Sequence, residues 1–276
     1  MSTMKNKILV YDDNCPLCSW YTGLFIKYGF LEHGGRKAFS KLDAATLTKI
    51  DFDRSRNEIP LLDTKTMKVE YGIDALITIL DQKIPLVRRL GNLAPIKWSL
   101  RKLYKLVSFN RKVIVARKCG PGNIDCSPDT NFTYRFFFMA ISLLFNTAMI
   151  IPLHNGLFSK LSYYRINIFE MQAAHFVFVA SNCALAFTFK KQKGYEYLGQ
   201  VNMLALSAIL LLIPLLLLNL LTTIEWINTI YLLIAGLFIF KEYFRRMKYA
   251  GVLSTYKWVV GVNIICLTAF LLFLFH

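Results

Sequence analysis

Five long apolar stretches in the second half of the sequence restrict its fold more than any other feature. Each is about 20 residues long, the length that an α-helix needs to cross the hydrocarbon core of a bilayer. Hydrophobic residues make up 55% of the 276-residue chain. We therefore predict an all-α polytopic membrane domain over residues 132–276. Its predicted spans are Phe132–Leu153, Phe169–Phe189, Leu198–Leu221, Glu225–Tyr243 and Tyr256–Phe275.

Basic residues are divided unequally between the two sides of this membrane domain. The loops on the side of the N-terminal half carry two Lys and Arg clusters, whereas the opposite loops carry only Lys160 and Arg165. Because Lys- and Arg-rich loops stay in the cytoplasm, we expect the N-terminal half there and His276 outside. The expected location is a bacterial inner membrane. The clusters are Lys190, Lys191, Lys193, and then Lys241, Arg245, Arg246, Lys248.

Residues 1–82 have the mixed pattern of a small α/β domain. No apolar signal-peptide region precedes the first strand, so none is predicted. The order of elements is strand, helix, strand, short helix, two strands and helix, which is a thioredoxin-like arrangement. The predicted segments are Lys7–Tyr11, Pro16–Tyr28, Ala38–Leu42, Asp43–Ile50 (capped by Asp43), Glu58–Asp63, Met67–Tyr71 and Ile73–Leu80.

A Cys-x-x-Cys pair lies where the first strand turns into the first helix. Cys15 precedes Pro16 at the helix N-terminus, whose N–H groups and dipole favour a thiolate, and Cys18 follows one turn later. We predict that Cys15 attacks a disulfide and that Cys18 resolves the mixed disulfide. Asp12 either accepts a proton or orders the turn, and we favour the turn. Trp20, two residues after Cys18, either shields the dithiol or packs in the domain, and we expect the packing role.

Pro60 stands at the start of a predicted strand, after Ile59. A proline in that place fits a cis peptide bond or an edge position. In thioredoxin-like folds a cis-proline faces the dithiol, so Pro60 is a candidate site residue. An ordinary trans-proline that enters a strand is the alternative.

The pattern Asp12-x-x-Cys15-x-x-Cys18 resembles the DCC family of predicted thiol-disulfide oxidoreductases, over roughly residues 5–120. The resemblance implies a thioredoxin-like fold and thiol–disulfide exchange. The chain has Asp13 where the family usually has glycine. This acid would make the turn less permissive and raise the thiolate pKa by like-charge repulsion.

Two later segments extend the resemblance. Tyr71–Leu76 is similar to the stretch before the family's last helix. Cys126–Asp129, together with Asn131, Tyr134 and Arg135, is similar to membrane-fused members. These matches predict that the redox domain and the membrane domain belong to one architecture.

A second cysteine pair, Cys119 and Cys126, lies in a Gly- and Pro-rich loop before the first span. The six intervening residues allow a disulfide, so a second redox pair is one interpretation. A four-cysteine site for zinc or an iron–sulfur cluster, shared with Cys15 and Cys18, is another. Two ordinary cysteines are the third. Our prediction assigns no metal.

Residues 83–131 form a basic juxtamembrane segment and account for much of the net charge of +16. Lys83–Lys118 holds eleven Lys and Arg and no acidic residue. Ile96–Phe109 has the pattern of an amphipathic helix, and we predict that it lies on anionic lipid headgroups rather than on nucleic acid. The alternative is that it packs on the first domain and leaves its basic face solvated. The predicted membrane-surface residues are Lys97, Trp98, Arg101, Lys102 and Lys105.

Polar residues within the spans give little indication of a cofactor. His175 and most of the asparagines are expected to hydrogen-bond between helices, and Cys183 and Cys266 to fill apolar space. A quinone is conceivable as an electron acceptor, but no motif supports it. The predicted cofactor is therefore none beyond the redox-active dithiol.

These observations predict a membrane-anchored thiol-disulfide oxidoreductase with a cytoplasmic Cys-x-x-Cys and an unidentified protein thiol partner. Two other interpretations stay open. The first domain could instead dock other subunits of a membrane complex without catalysis, or the four cysteines could bind a metal.

Overall fold

The computed structural model describes residues 4–117 and 128–275. The chain forms two compact units, and the boundary between them lies between Arg135 and Phe136. The first unit is an α/β domain and the second is all-helical, as the sequence predicts.

A four-stranded sheet forms the centre of the first unit. Its spatial order is β2-β1-β3-β4, in which β1 is parallel to β2, β3 is antiparallel to β1, and β4 is antiparallel to β3. This is the thioredoxin-like order. The strands are β1 (Lys7–Tyr11), β2 (Arg36–Ala38), β3 (Pro60–Asp63) and β4 (Val69–Tyr71).

The central strand β1 is buried on both faces because its alternating side chains enter two different clusters. Leu9 packs with Leu61 and Ile79, whereas Val10 packs with Phe39 and Ile50 on the other face. Complete burial of Leu9 and Val10 contributes roughly 1.5–3 kcal/mol each. Packing on both faces therefore fixes the position of β1 and of the turn that follows it.

Helices cover the sheet and end near the predicted residues. The Asp43 carboxylate accepts a hydrogen bond from the Thr46 N–H at 3.0 Å, which confirms the predicted cap. The predicted helix Ile73–Leu80 has these bounds in the structure. The helices are α1 (Pro16–Lys27), α2 (Ala44–Leu47), α3 (Phe52–Ser55), α4 (Ile73–Leu80), α5 (Pro85–Gly91) and α6 (Ala94–Val115).

The segment that the sequence analysis set apart as juxtamembrane contains α5 and α6. Both helices pack on α4, and α6 also packs on α1, the helix of the dithiol. The Tyr104 ring of α6 packs against the same apolar cluster as Leu9. The first unit thus extends well beyond residue 82.

The Ile59–Pro60 bond is trans, since no peptide bond of the described residues is cis. The expectation of a cis bond is therefore wrong. Pro60 is the first residue of β3 and pairs with Tyr71, while the Ile59 carbonyl accepts a 2.9 Å hydrogen bond from the Gly72 N–H. A proline at the first residue of a strand is tolerated without a cis bond.

The second unit contains helices that follow the predicted spans closely. Four helices of the described chain, α7 to α10, are long and apolar enough to cross a membrane. The fifth predicted span coincides with α12, whose apolar stretch is shorter. The helices are α7 (Phe132–Gly156), α8 (Ile168–Phe187), α9 (Lys191–Leu221), α10 (Glu225–Tyr249), α11 (Val252–Thr255) and α12 (Lys257–Phe275).

Polar side chains join these helices to one another. The Tyr197 hydroxyl donates to the Asn182 side-chain carbonyl at 2.6 Å and accepts from the Asn263 amide at 2.9 Å. His175 and Thr147 are hydrogen-bonded across α8 and α7 at 3.1 Å. The interhelical role predicted for these residues is confirmed.

Candidate functional site

The two cysteines lie in the turn between β1 and α1. Cys15 is the N-cap of α1, and its Sγ accepts a hydrogen bond from the Cys18 N–H at 3.4 Å. Pro16 follows at the first helical position, where its missing N–H costs no hydrogen bond. Both sulfurs are unoxidised thiols, and both residues are buried, with exposed fractions of 8% and 4%.

Several interactions lower the pKa of Cys15 to about 7 from the usual 9.0. The largest is a hydrogen bond from the Cys18 thiol, and the Cys18 backbone N–H and the positive charge of Arg111 add to it. Burial and the Asp12 charge act in the opposite direction. Cys15 is therefore substantially ionised near neutral pH, as an attacking thiol must be.

The pKa of Cys18 is raised well above its usual value. The main reason is that its thiol donates to Cys15, and burial adds to the rise. The Arg111 charge opposes both effects. Cys18 thus stays protonated while Cys15 is a thiolate, and the two thiols have different roles.

Arg111 reaches this turn from the C-terminal part of α6. Its Nη1 lies 3.7 Å from the Cys18 Sγ, and its Nη2 lies 3.5 Å from an Asp12 carboxylate oxygen. Nη2 also donates to the Arg56 carbonyl at 3.0 Å. The side chain is only 12% exposed, so its charge acts in a poorly hydrated site, where electrostatic interactions are stronger than in water.

Asp12 is held by contacts of its carboxylate and of its backbone carbonyl. One carboxylate oxygen accepts a 3.0 Å hydrogen bond from the Asn14 N–H, and the Asp12 backbone carbonyl accepts one from the Cys15 N–H at 3.2 Å. The other carboxylate oxygen pairs with Arg111. This geometry gives Asp12 the turn-ordering contacts that the sequence analysis favoured, while proton acceptance stays a prediction.

Asp13 does not need the backbone freedom of glycine. Only Met67 and Ala116 have positive φ among the described non-glycine residues, so Asp13 adopts an ordinary conformation. Its carboxylate accepts a 2.8 Å hydrogen bond from the Ser40 hydroxyl. The carboxylate that raises the Cys15 pKa is Asp12.

Tyr104 links α6 to the start of β3. Its buried hydroxyl accepts a 2.8 Å hydrogen bond from the Ile59 N–H, directly before Pro60. Burial raises the pKa of Tyr104, and the charge on Cys18 acts in the same direction. The hydroxyl therefore stays neutral, and α6 holds the segment that precedes Pro60. A role for Pro60 in exchange stays a prediction.

Trp20 does not pack in the domain as expected. It lies on α1 two residues after Cys18, and 63% of its surface is exposed. The buried members of this helix include Cys18 and Thr22. Trp20 therefore offers an aromatic surface on the dithiol helix.

The basic side chains of α6 face acidic residues of the same unit. Lys97 and Arg101 pair with Asp74 at 2.6 and 2.9 Å, and Lys105 pairs with Glu58 at 3.7 Å. Asp74 and Glu58 thus pair with these three cations within the first unit. Binding of the cations to lipid headgroups stays a prediction.

The opposite face of α6 carries exposed apolar side chains. Leu103 and Val107 are 58% and 42% exposed. Trp98, nine residues before Val107 and thus about half a turn around the helix from it, is 64% exposed with Lys102 over its ring at 5.7 Å. The helix thus docks with its polar side and leaves its apolar side uncovered. Membrane-surface binding by Trp98 and Lys102 stays a prediction.

Cys119 and Cys126 lie outside the described residues, so their pairing stays open. Within residues 4–117 and 128–275, no three His, Cys, Asp or Glu side chains come together as a metal site would require. The four-cysteine interpretation includes the second pair and therefore stays untested.

Arg111 is the site residue that sequence reasoning missed. It lies among eleven basic residues with no acidic residue between them, so nothing in the local sequence distinguishes it. The signal would have been its helical spacing from Tyr104, seven residues earlier and thus on the same face. An aromatic hydroxyl and a cation on one face indicate a buried polar contact.

Residues 9–117 match the family model of the DCC1-like thiol-disulfide oxidoreductase. The matched segment contains Asp12, Cys15, Cys18, Pro60 and Arg111. This part of the chain is therefore similar to that family, and the apolar helices that follow are consistent with a membrane-fused member. Searches of curated proteins and of solved structures return no match.

Proposed function

We propose that the protein is a membrane-anchored thiol-disulfide oxidoreductase that acts through Cys15 and Cys18 on the cytoplasmic side. The observation that carries the proposal is the state of the Cys15 sulfur. It caps α1, accepts a hydrogen bond from the Cys18 N–H and has a pKa of about 7. A buried structural thiol would have a raised pKa instead.

The first half of the reaction uses this thiolate. The Cys15 Sγ attacks one sulfur of a partner disulfide, a new S–S bond joins Cys15 to the partner, and the partner's second sulfur leaves as a thiolate. That leaving thiolate then takes up a proton. The α1 N-terminus and the Arg111 charge stabilise the attacking form before the step.

The second half uses Cys18. Once Cys15 is in the mixed disulfide, the hydrogen bond to its thiolate no longer holds the Cys18 proton. Cys18 then loses that proton. The resulting thiolate is stabilised by Arg111, whose Nη1 lies 3.7 Å from the Cys18 Sγ, and it attacks the Cys15 sulfur. The partner leaves as a thiol and the Cys15–Cys18 disulfide forms, so two electrons have moved from this dithiol to the partner disulfide. The reverse sequence oxidises a partner dithiol.

The cytoplasmic location rests on the loop charges. Lys190, Lys191 and Lys193 follow α8 on the side to which the first unit is connected, whereas the loop between α9 and α10 has no basic residue. A reducing compartment keeps Cys15 and Cys18 as thiols between cycles and favours a redox-cycling pair over a structural disulfide.

Trapping of the mixed disulfide tests this proposal. In the full-length Cys18→Ser protein the second attack is impossible, so Cys15 should accumulate in a mixed disulfide that identifies the partner. Cys15→Ser should trap nothing. Cys266→Ser, which removes a thiol of α12 far along the chain, is the matched control and should behave as the unchanged protein.

Two results would contradict the proposal. Cys15 and Cys18 that never cycle during a redox titration with mass-tag alkylation would leave the first unit as a docking module of a membrane complex. Zinc or iron in the purified protein that is lost on Cys15→Ser would favour the four-cysteine metal interpretation.

Labelling of intact cells tests the orientation separately. A membrane-impermeant maleimide applied from outside should leave Cys15 unmodified and react after the membrane is permeabilised. Labelling of Cys15 in intact cells would reverse the topology. Because access rather than catalysis is measured, this result is independent of trapping.

A further inference from the structure

A groove of about 690 Å³ lies within the second unit, between α7, α8 and α9. Its wall residues on α9 are spaced three or four positions apart, so they share one face of that helix. From the first of them, Lys191, to the last, Ala205, the distance along the axis is about 21 Å at 1.5 Å per residue. The groove is thus elongated along α9. These wall residues include Lys191, Tyr195, Leu198, Val201 and Ala205.

The α8 wall runs in the opposite direction. Its residues follow one another at steps of four, from His175 to Phe187. Because α8 and α9 pack together and are joined by residues 188–190, they form an antiparallel pair. Phe187 and Lys191 therefore lie at one end of the groove, and His175 and Ala205 lie at the other.

The end of the groove at Lys191 is basic. Lys191 forms part of the wall, and the exposed Lys190 directly precedes it. No acidic residue occurs among the described residues of the wall. The N-terminus of α9 also lies at this end, and its dipole adds positive charge. An anionic group is therefore favoured here, and basic pockets between membrane helices bind lipid headgroups.

The middle of the groove is apolar. Leu198 and Val201 of α9 face Phe178 and Val179 of α8 across it, and Leu143 of α7 completes this part of the wall. The hydrocarbon core of a bilayer is about 30 Å thick, so each leaflet supplies about 15 Å of acyl chain below its headgroups. A groove about 21 Å long thus has the length for one acyl chain together with the start of its headgroup.

We propose that this groove binds one anionic phospholipid, with an acyl chain along α8 and α9 and its phosphate beside Lys191. The site goes beyond the proposed exchange reaction and does not depend on it. The bilayer that the apolar helices would cross supplies the ligand. The charge at one end distinguishes a specific lipid site from ordinary lipid contact, which has no headgroup preference.

That charge predicts a selectivity that can be measured. Phosphatidylglycerol is anionic, whereas phosphatidylcholine with the same acyl chains is zwitterionic. One lysine near an anionic headgroup should make phosphatidylglycerol bind about fivefold more tightly, or more. The acyl chains are the same in both lipids, so their contribution cancels in the comparison.

Native mass spectrometry of the full-length protein tests the proposal. Delipidated protein in detergent is titrated with each lipid, and the bound lipids per chain are counted. Phosphatidylglycerol should bind saturably at one molecule per chain, with phosphatidylcholine about fivefold weaker or more. A phosphatidylglycerol with a diazirine in its acyl chain should label peptides of the groove wall, and unlabelled phosphatidylglycerol should compete.

Two variants separate the headgroup from the acyl chain. Lys191→Gln should remove the preference for phosphatidylglycerol and leave phosphatidylcholine binding unchanged. Lys193→Gln is the matched control, because Lys193 belongs to the same basic cluster but its Nζ lies toward Gly251 and it does not line the groove. Ala205→Phe fills the inner end and should weaken binding of both lipids alike.

Combined Cys15→Ser and Cys18→Ser should leave lipid binding unchanged, so failure of exchange and failure of lipid binding are different results. Equal affinities of the unchanged protein for the two lipids would overturn the proposal, and that comparison needs no variant to fold. Binding that does not saturate would overturn it as well. A dimer that excludes lipid would assign the groove to a second copy of the chain and would also overturn it.

Discussion

The two units bury an arginine in different ways. In the second unit, the Arg246 guanidinium pairs with Glu242 at 2.8 Å and donates to the Gln200 side chain at 2.9 Å, with 3% of the side chain exposed. In the first unit, Arg111 lies 3.5 Å from an Asp12 carboxylate oxygen and 3.7 Å from the Cys18 sulfur, and it donates to the Arg56 carbonyl at 3.0 Å.

This difference shows how a buried cation is used. The Arg246 charge is held by a carboxylate at short range, which suits a fixed link between α9 and α10. The Arg111 charge is divided between a carboxylate and a sulfur that changes its protonation state. A cation that lies between a carboxylate and a sulfur can stabilise a thiolate when one forms.

The largest expected effects come from removing each arginine. Arg246→Met leaves Glu242 paired with Arg245 at 2.6 Å, whereas Arg111→Met removes the cation that pairs with Asp12, whose side chain is 10% exposed. Loss of one partner of a buried ion pair costs about 3–5 kcal/mol, and less where a second cation stays on the carboxylate. Both variants should therefore be less stable in denaturant titrations, Arg246→Met by the smaller amount. Only Arg111→Met should slow Cys15 alkylation at neutral pH. Equal slowing by Arg246→Met would show that loss of stability, and not the charge, controls the thiol.

The pH dependence of Cys15 alkylation should be the next largest effect. Because its pKa is lowered to about 7, the rate should rise about tenfold per pH unit below 7 and level off above it. Cys18 should stay unreactive over the same range, since its pKa is raised. Iodoacetamide labelling of each cysteine, read by mass spectrometry from pH 5 to 9, measures both.

Arg111→Lys refines the same measurement. A lysine keeps a positive charge but not the forked geometry that contacts sulfur, carboxylate and carbonyl together. The midpoint should therefore move to higher pH by less than in Arg111→Met. An unchanged midpoint in both variants would contradict the role given to the cation.

A smaller effect should distinguish the two exposed tryptophans of the first unit. Trp98 lies on α6 beside Arg101 and Lys102, whereas Trp20 lies on α1. In single-tryptophan proteins in nanodiscs with brominated lipids, Trp98 fluorescence should be quenched and Trp20 fluorescence much less. Similar quenching of both would contradict preferential contact between this side of α6 and lipid.

The smallest effect should follow from Asp74→Asn. Burial raises the Asp74 pKa, but hydrogen bonds from Lys97 and Arg101 outweigh it and the net shift is downward. The pairs stabilise the fold above the pKa of an unfolded aspartate and are lost as the pH falls through the lower folded value. Because Asp74 is about one-third exposed, the loss at pH 7 should be only about 0.5–1 kcal/mol. This loss of stability should disappear at acidic pH. Asp81→Asn is the control, because it removes the ion pair between Asp81, which follows α4, and Arg88 of α5, and it should not loosen α6.

Much of the first unit follows from local sequence. The buried strand residues Leu9 and Val10, the proline at the start of α1 and the Asp43 cap are each determined by neighbouring residues. These signals were sufficient for the order of elements along the chain and for the position of Cys15. The second strand was predicted at Ala38–Leu42 and lies at Arg36–Ala38, so that prediction was wrong for all but one residue. They operate within a few residues along the chain, which is why they can be read without an alignment.

The contribution of α6 could not be read in this way. Helical periodicity shows that one face is polar and the other apolar, but it does not show which face is buried. Asp74 and Glu58 decide the matter, and they lie far away in the sequence.

The long sequence separation between Arg111 and the dithiol also has a consequence for the protein during its synthesis. Cys18 and Arg111 are 93 residues apart in the chain. At about 5–20 residues per second, a ribosome needs roughly 5–20 s to add that stretch. Throughout this interval the emerging dithiol lacks the cation that favours its ionisation. The nascent chain is therefore less open to unwanted disulfide exchange until its sixth helix has been made.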